Sequence, residues 1–451
     1  MNNFGQIAIV GSGLSAWMMC TFMAKQLQHT DTKITLYVGV EPEVTADLQS
    51  PLPLINDFFK AIEVSPEALV DSARLHPKLG TAYLFDEKAP FMHVWGQYGA
   101  PIGAVEFHQV VMRSMQLNQS IDLNKLSIAS ASVLAGRFQK PTQNSQSIFS
   151  TYESSWSFET EVFLQFLKMM SIKLGVVVSE EKISKIGCND GEYVLGELNV
   201  PYRCDYLINT VPGLMIEEHG VESWFASMPF ELKSKTKKNN ALSSLVNKVK
   251  AVNEISWVCE VSHRNLAVLN AYHFTDRDSG DVYVHKAPRA SRCLNFGPAM
   301  ANMYSPLFSS IDLNLIALKL LLRYFPSPSD NCSVVNEFNK AFRASLENLR
   351  DITQLSLNAL FAKSNLKNST IPLTGPANYK ASLFSCRGRY PVLENEFFKT
   401  EWQVWLLLGL GFKFDGVEPM VSLIDEKTIK EHVGRVETSV MKNLPLTPLV
   451  N

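Results

Sequence analysis

Gly11-Ser12-Gly13-Leu14-Ser15-Ala16 has the residue types and spacing of a turn that lets backbone approach a phosphate. Gly11 would make the tight turn, and Gly13 would leave room for a diphosphate on the positive end of the following helix. Ala16 stands where a third glycine is usual. The elements needed to position this turn flank it: Ile7 to Val10 reads as a strand, Trp17 to Leu27 as a helix and Ile34 to Tyr37 as a second strand. The whole is a βαβ dinucleotide fingerprint in its proper context. Such units place an acidic residue at the end of the second strand for a ribose hydroxyl, but Tyr37 and Val38 carry no carboxylate. Glu41 and Glu43 in the next loop are either substitutes for it or solvated loop charges.

The remaining chemistry-bearing residues give weaker local signals. Lys78, beside Pro77 and Leu79-Gly80, reads by itself as a surface lysine with its stem laid along apolar neighbours. Trp257 reads as core. The seven cysteines, Cys20, Cys188, Cys204, Cys259, Cys293, Cys332 and Cys386, form no Cys-x-x-Cys pair and have no histidine at zinc spacing. They predict reduced thiols, a cytoplasmic protein and no metal. With 42 Lys plus Arg against 44 Asp plus Glu, the net charge of -2 offers no basic field for nucleic acid. The N-terminus lacks a basic leader, and Leu313 to Phe325 and Val404 to Phe412 are too short or too charged to span a membrane.

At 451 residues the chain predicts two joined domains or one domain with a large cap. Phe158 to Val178 reads as a helix running into a strand, and Cys204 to Gly213 as a strand ending in a Pro-Gly turn. Leu232 to Asn253, rich in Lys, Ser and Asn, reads as a partly helical surface excursion. Leu313 to Phe325 and Glu337 to Leu360 read as long helices.

Several segments, in order, resemble the flavin-dependent tryptophan halogenase family. Gly11 to Ala16 followed directly by Trp17-Met18 resembles its opening motif, and Ser50-Pro51 leading to Phe59 resembles its Thr-x-Pro segment. His76-Pro77-Lys78-Leu79-Gly80 with Phe85 is similar to its lysine-bearing strand, and Phe91-Met92-His93-Val94-Trp95-Gly96 to the turn that follows. Gly297 to Ser310 resembles its flavin and halide loop. Phe338-Asn339, Leu349-Arg350-Asp351, and Glu396 with Trp402, Gly409 and Gly411 resemble its later helices.

The resemblance implies an α/β fold: a discontinuous FAD-binding Rossmann-like module with a β-sheet substrate region and a helical C-terminal cap. The module would cover 1–330, with substrate-facing insertions near 41–95 and 215–290, and the cap 331–451. FAD would be held by Gly11, Gly13, Leu14, Ser15, Ala16, Trp17, Gly297 and Pro306, and reduced by a separate flavin reductase, since one dinucleotide fingerprint is visible. Reduced flavin and oxygen would oxidise a halide bound by the amides of Ser309, Ser310 and Ile311. Lys78 would hydrogen-bond the oxidised halogen beside an aromatic substrate, either a free small molecule or one borne on a carrier or peptide. A homodimer is compatible with this reading.

Two departures keep other readings open. The family's catalytic glutamate is Phe308 here, which accepts no proton. The family's Trp-x-Trp-x-Ile-Pro signature has its nearest counterpart in Trp257 to Ser262, which keeps only the first tryptophan. A monooxygenase that uses no halide, or a flavin-binding protein without catalysis, are the alternatives.

Overall fold

In the computed structural model, β1 (Gln6–Val10), α1 (Leu14–Gln26) and β2 (Lys33–Gly39) form the βαβ unit that the glycine turn predicts. The structure describes residues 4–446 apart from 42, 44, 87, 185, 190–191, 196–201, 215–219, 239–243, 254–255, 264–265, 277, 279, 365, 367–369 and 393; the side chain of Cys188 also lies outside the described set. Two compact units are present. The first comprises residues 1–76, 156–231 and 275–346, the second 77–155, 232–274 and 347–451.

The first unit is built on a parallel five-stranded sheet in the order Cys293–Asn295, Tyr206–Asn209, β1, β2, Val177–Lys182. Its inner strands are apolar because both faces are covered, as parallel sheets require: Ile9, Val10, Leu36, Leu207 and Ile208 have no exposed surface, while the edge strand Val177–Lys182 is mostly exposed. α1 is buried from Leu14 to Ala24. The helix Thr160–Lys173 covers it, with Thr21 Oγ1 and Ser171 Oγ 2.8 Å apart, and Phe22 meets Phe325 at 6.5 Å between ring centres. The helix Ser310–Arg323 is apolar along most of its length and is buried with them.

The second unit carries a six-stranded sheet in the order Phe230–Lys238, Leu266–Phe274, Ser256–His263, Val246–Asn253, Gly80–Phe85, Lys88–Val94, with the first strand entering the unit at Leu232. Leu232 to Asn253 is therefore strand on both sides of residues 239–243, which corrects the helical reading. Its lysines mark outward positions: Lys248 and Lys250 alternate with buried Val249 and Ala251, the period-two pattern of a half-covered sheet. Trp257 is fully buried and stacks on its cross-strand partner Tyr272 at 4.9 Å.

Helices follow to the C-terminus: Cys332–Lys363, which contains the last boundary between units, then Gly375–Arg387, Thr400–Gly409 and Glu426–Lys442. Within the second unit Tyr98 stacks on Trp405 at 4.5 Å, and His93 Nε2–H donates to the Trp402 carbonyl at 2.8 Å. Burial holds His93 at a pKa of about 4, so the ring is neutral at physiological pH. No helix among the described residues is long and apolar enough to cross a membrane.

Candidate functional site

The glycine turn owes its shape to two close approaches. Gly11 has φ +152°, and a Cβ there would lie 1.9 Å from Thr210 Oγ1 and 2.9 Å from Ala16 Cβ. The turn is pinned by Gly11 N–H donating to Tyr37 O at 3.0 Å, while Thr210 N–H and Oγ1–H both donate to Val10 O at 3.0 Å. Ala16 is tolerated in place of a third glycine because Gly11 itself yields the space. Gly297, at φ +62°, brings a second loop against α1; its Cβ would stand 2.5 Å from Ser15 Cβ. Asn314 Nδ2 donates to Ser15 Oγ at 2.9 Å and ties the helix Ser310–Arg323 to the same point.

A cavity of about 400 Å³ opens here, entirely within the first unit. Among the residues picked from sequence, Leu14, Ser15, Glu41, Glu43, Gly297, Ser310 and Ile311 line it. Gly11 and Gly13 form its turn, whereas Ala16, Trp17 and Pro306 are buried and do not line it. Trp17 Nε1 finds no hydrogen-bond partner among the described residues. Ser12, Thr210, Pro212, Tyr283 and Asn302 also reach the cavity.

Sequence reasoning missed the role of Glu43. Ser15 N–H donates to its Oε2 at 2.9 Å and Ser15 Oγ–H to its Oε1 at 2.6 Å, which puts the carboxylate on the N-terminal end of α1. Burial raises the Glu43 pKa, and the two bonds from Ser15 oppose that shift. A Cβ on Gly13 would meet Glu43 Cβ at 2.2 Å and Oε2 at 2.4 Å. The turn thus has the clearance and the donors of an anion cradle, so its residues fit a dinucleotide diphosphate; the same clearance receives the Glu43 carboxylate.

The loop Pro306 to Ser309 leads into the helix Ser310–Arg323, with Phe308 buried. Asp312 closes a capping box on this helix. Its Oδ2 accepts from Ser309 N–H at 2.8 Å and its Oδ1 from Leu52 N–H at 2.8 Å. The Ser309 amide is therefore committed to Asp312, and an anion at this helix end would rely on the amides of Ser310 and Ile311. The Ser309-x-x-Asp312 spacing is a capping signature that sequence could have yielded.

Burial pushes Asp312 up to about 7, against its bonds from Ser309 and Leu52. A carboxyl raised in the folded state binds protons that the unfolded chain releases, so its contribution is fully present below about pH 4 and is lost as pH rises through about 7. Asp312→Ala should destabilise the protein by roughly 2–4 kcal/mol through a lost cap and unpaired buried donors. Urea unfolding at pH 5 and pH 7.5 checks both points, since the variant should lack this part of the pH dependence.

Lys78 lies in the second unit and is fully buried, not a surface residue. Its Nζ donates to Ser244 O at 2.7 Å and Ser262 O at 2.8 Å. Desolvation, aided by nearby Lys248, lowers its pKa to about 7, with Cys259 and Glu260 pulling the other way. A neutral amine satisfies both carbonyls with its two N–H groups, and an ammonium keeps a third N–H to offer.

Residues 6–199 match the family model described as tryptophan halogenase. No curated protein sequence matches the chain. Among solved structures, BrvH, a flavin-dependent halogenase from Brevundimonas sp. BAL3, is similar at 17% identity and TM-score 0.87, over 99% of this chain and 97% of that one. Xcc4156, a flavin-dependent halogenase from Xanthomonas campestris, is similar at 14% identity and TM-score 0.85, over 97% and 95%. SttH, a tryptophan 6-halogenase from Streptomyces toxytricini, gives 14% and 0.80, over 98% of each chain. At these identities the likeness is one of fold.

Proposed function

We propose that this divergent relative of the tryptophan halogenases, matched to that family over residues 6–199 and sharing the halogenase fold, is an FAD-dependent enzyme that oxidises halide to halogenate an electron-rich aromatic substrate. The observation that carries this reading is the meeting of three elements at one cavity: the glycine turn, the Gly297 loop and the N-terminus of the helix Ser310–Arg323. Ser12 and Ser15, with the backbone of Gly11 to Gly13, would hold the diphosphate, and Gly297 would let the flavin loop close on α1. Reduced FAD, when bound, supplies the electrons that activate oxygen. The Ser310 and Ile311 amides sit at the positive end of a helix and would hold halide there without depending on side-chain identity.

Lys78 is assigned the proton that hydrogen-bonds the oxidised halogen; its lowered pKa follows from the burial such a group needs. The electrons come from a separate flavin reductase, and the substrate is a free aromatic or one carried on a protein or peptide. Free thiols at Cys20, Cys204, Cys259, Cys293, Cys332 and Cys386 suit a reducing cytoplasm.

Phe308, and the Asp312 carboxylate that takes the Ser309 amide, favour a second reading, a monooxygenase that uses no halide. The deciding experiment supplies FAD, a flavin reductase and NADH to the protein with an indole and phenol library, with bromide, chloride or neither. Mass spectrometry should show hydrogen replaced by halogen only when halide is present. Oxygenated products formed equally without halide would overturn the halogenase reading in favour of the second.

A further inference from the structure

The first turn of α1 contains no acidic residue and Gly13, its N-cap, has no side chain with which to cap it. The anion at this helix end comes instead from the loop after β2, through Glu43. Both its carboxylate oxygens take hydrogen bonds from Ser15, and its side chain fills the space over Gly13 that a Cβ would otherwise claim. A helix N-terminus with a glycine at its cap binds carboxylate and diphosphate through the same N–H groups and the same dipole, so the two cannot share it.

Charge makes the competition sharper. Glu41 and Glu43 both line the cavity, and among the described residues no lysine or arginine does. A diphosphate entering beside Glu43 would meet a half-buried like charge, with no cation among the described lining residues to stand between them. Space points the same way, because about 400 Å³ lies at the small end of the ~300–1,000 Å³ that houses a drug-sized ligand, and a flavin dinucleotide is larger.

Building on the FAD reading, we infer that Glu43 is an internal competitor for the cofactor diphosphate: its carboxylate takes the seat on α1 that the diphosphate needs and must leave for flavin to load. The acid after β2 then does the reverse of the ribose-binding acid usual in such units. It sets how readily cofactor enters and stays.

The two roles predict opposite signs. Affinities for oxidised FAD and for ADP should be measured by fluorescence titration and calorimetry on the full chain for wild type, Glu43→Ala and Glu43→Gln. If Glu43 competes, Glu43→Ala tightens both ligands by about tenfold or more, and Glu43→Gln, of equal size without the charge, falls between. Riboflavin, which has no phosphate, should bind all three proteins alike. Without ligand, Glu43→Ala should melt at a lower temperature than wild type, because the helix end loses its cap, yet gain more from added FAD. Weaker FAD binding by Glu43→Ala would mean that Glu43 holds the cofactor, and unchanged affinity would mean that the carboxylate does not compete; either overturns the proposal. If all three proteins remain folded by circular dichroism and none takes up FAD or ADP, the FAD reading itself fails and this one with it.

Discussion

Gly13→Val is expected to abolish FAD binding while leaving the fold intact. Gly13 has φ −95°, a conformation open to any residue, so valine strains no backbone there. The obstacle is spatial. A Cβ at this position points into the space above the N-terminus of α1, where it would stand 2.4 Å from the Glu43 carboxylate oxygen. Any anion bound to those N–H groups would meet the same obstruction, and valine adds two methyl groups beyond the Cβ. The loss should be on the order of 100-fold in affinity, the upper end of the ~1–3 kcal/mol that overpacking a tight site costs at about 1.4 kcal/mol per tenfold. Gly13→Ala should give a smaller loss. Retained flavin absorbance in purified, folded Gly13→Val would contradict the assignment of this turn to the cofactor.

The second large effect is expected at Lys78, on stability and activity together. Lys78→Ala leaves the carbonyls of Ser244 and Ser262 buried without their donor and opens a cavity where a four-carbon stem was packed. The cost should be roughly 3–5 kcal/mol, comparable to the larger core truncations. Lys78→Met keeps the volume and should cost less, which separates folding from chemistry.

The sign of the pH dependence follows from the lowered pKa. Between about pH 7 and the ordinary lysine value of 10.5 the unfolded chain holds a proton at this site that the folded protein has released, so wild-type stability should rise across that window. The slope should be shallower in Lys78→Met, as read by denaturant unfolding at pH 7, 8.5 and 10. Activity should run the other way. The third N–H, the one not given to a backbone carbonyl, exists only in the ammonium form, so halogenation should fall as pH rises above about 7. Undiminished halogenation by folded Lys78→Met would remove Lys78 from the chemistry.

What the sequence revealed depended on how local the cause was. The turn at Gly11 and Gly13 was legible because its requirement is written in the residues themselves: no Cβ, between a strand and a helix. The helices Ser310–Arg323 and Cys332–Lys363 were legible from their apolar spacing, with ends displaced by a few residues. Lys78 was recognised only by resemblance to a family, because the carbonyls that hold it belong to residues 166 and 184 positions further along the chain. Glu43 was named as a choice between a ribose contact and a solvated charge. Its bonds join it to Ser15, 28 positions earlier, and no spacing in the sequence encodes that. Leu232 to Asn253 misled because lysines on the open face of a sheet have the composition of a surface loop; only the alternation of Val249 and Ala251 with Lys248 and Lys250 distinguishes them.

The way the chain is divided between its two units bears on how it folds. It leaves the first unit at His76, returns at Trp156, leaves again at Glu231 and returns at Thr275. The central strand β1 pairs with β2 nearby in sequence, but its other neighbour is Tyr206–Asn209, and the sheet edge Cys293–Asn295 comes later still. A chain growing from the ribosome therefore carries β1 with one edge unpaired until residue 209 has emerged. Such non-local pairings slow folding, and an apolar unpaired edge invites pairing with another chain meanwhile. Refolding of this protein should accordingly be sensitive to concentration and assisted by chaperones. No single contiguous fragment will reproduce either unit, since each is made of three segments and the intervening stretch belongs to the other.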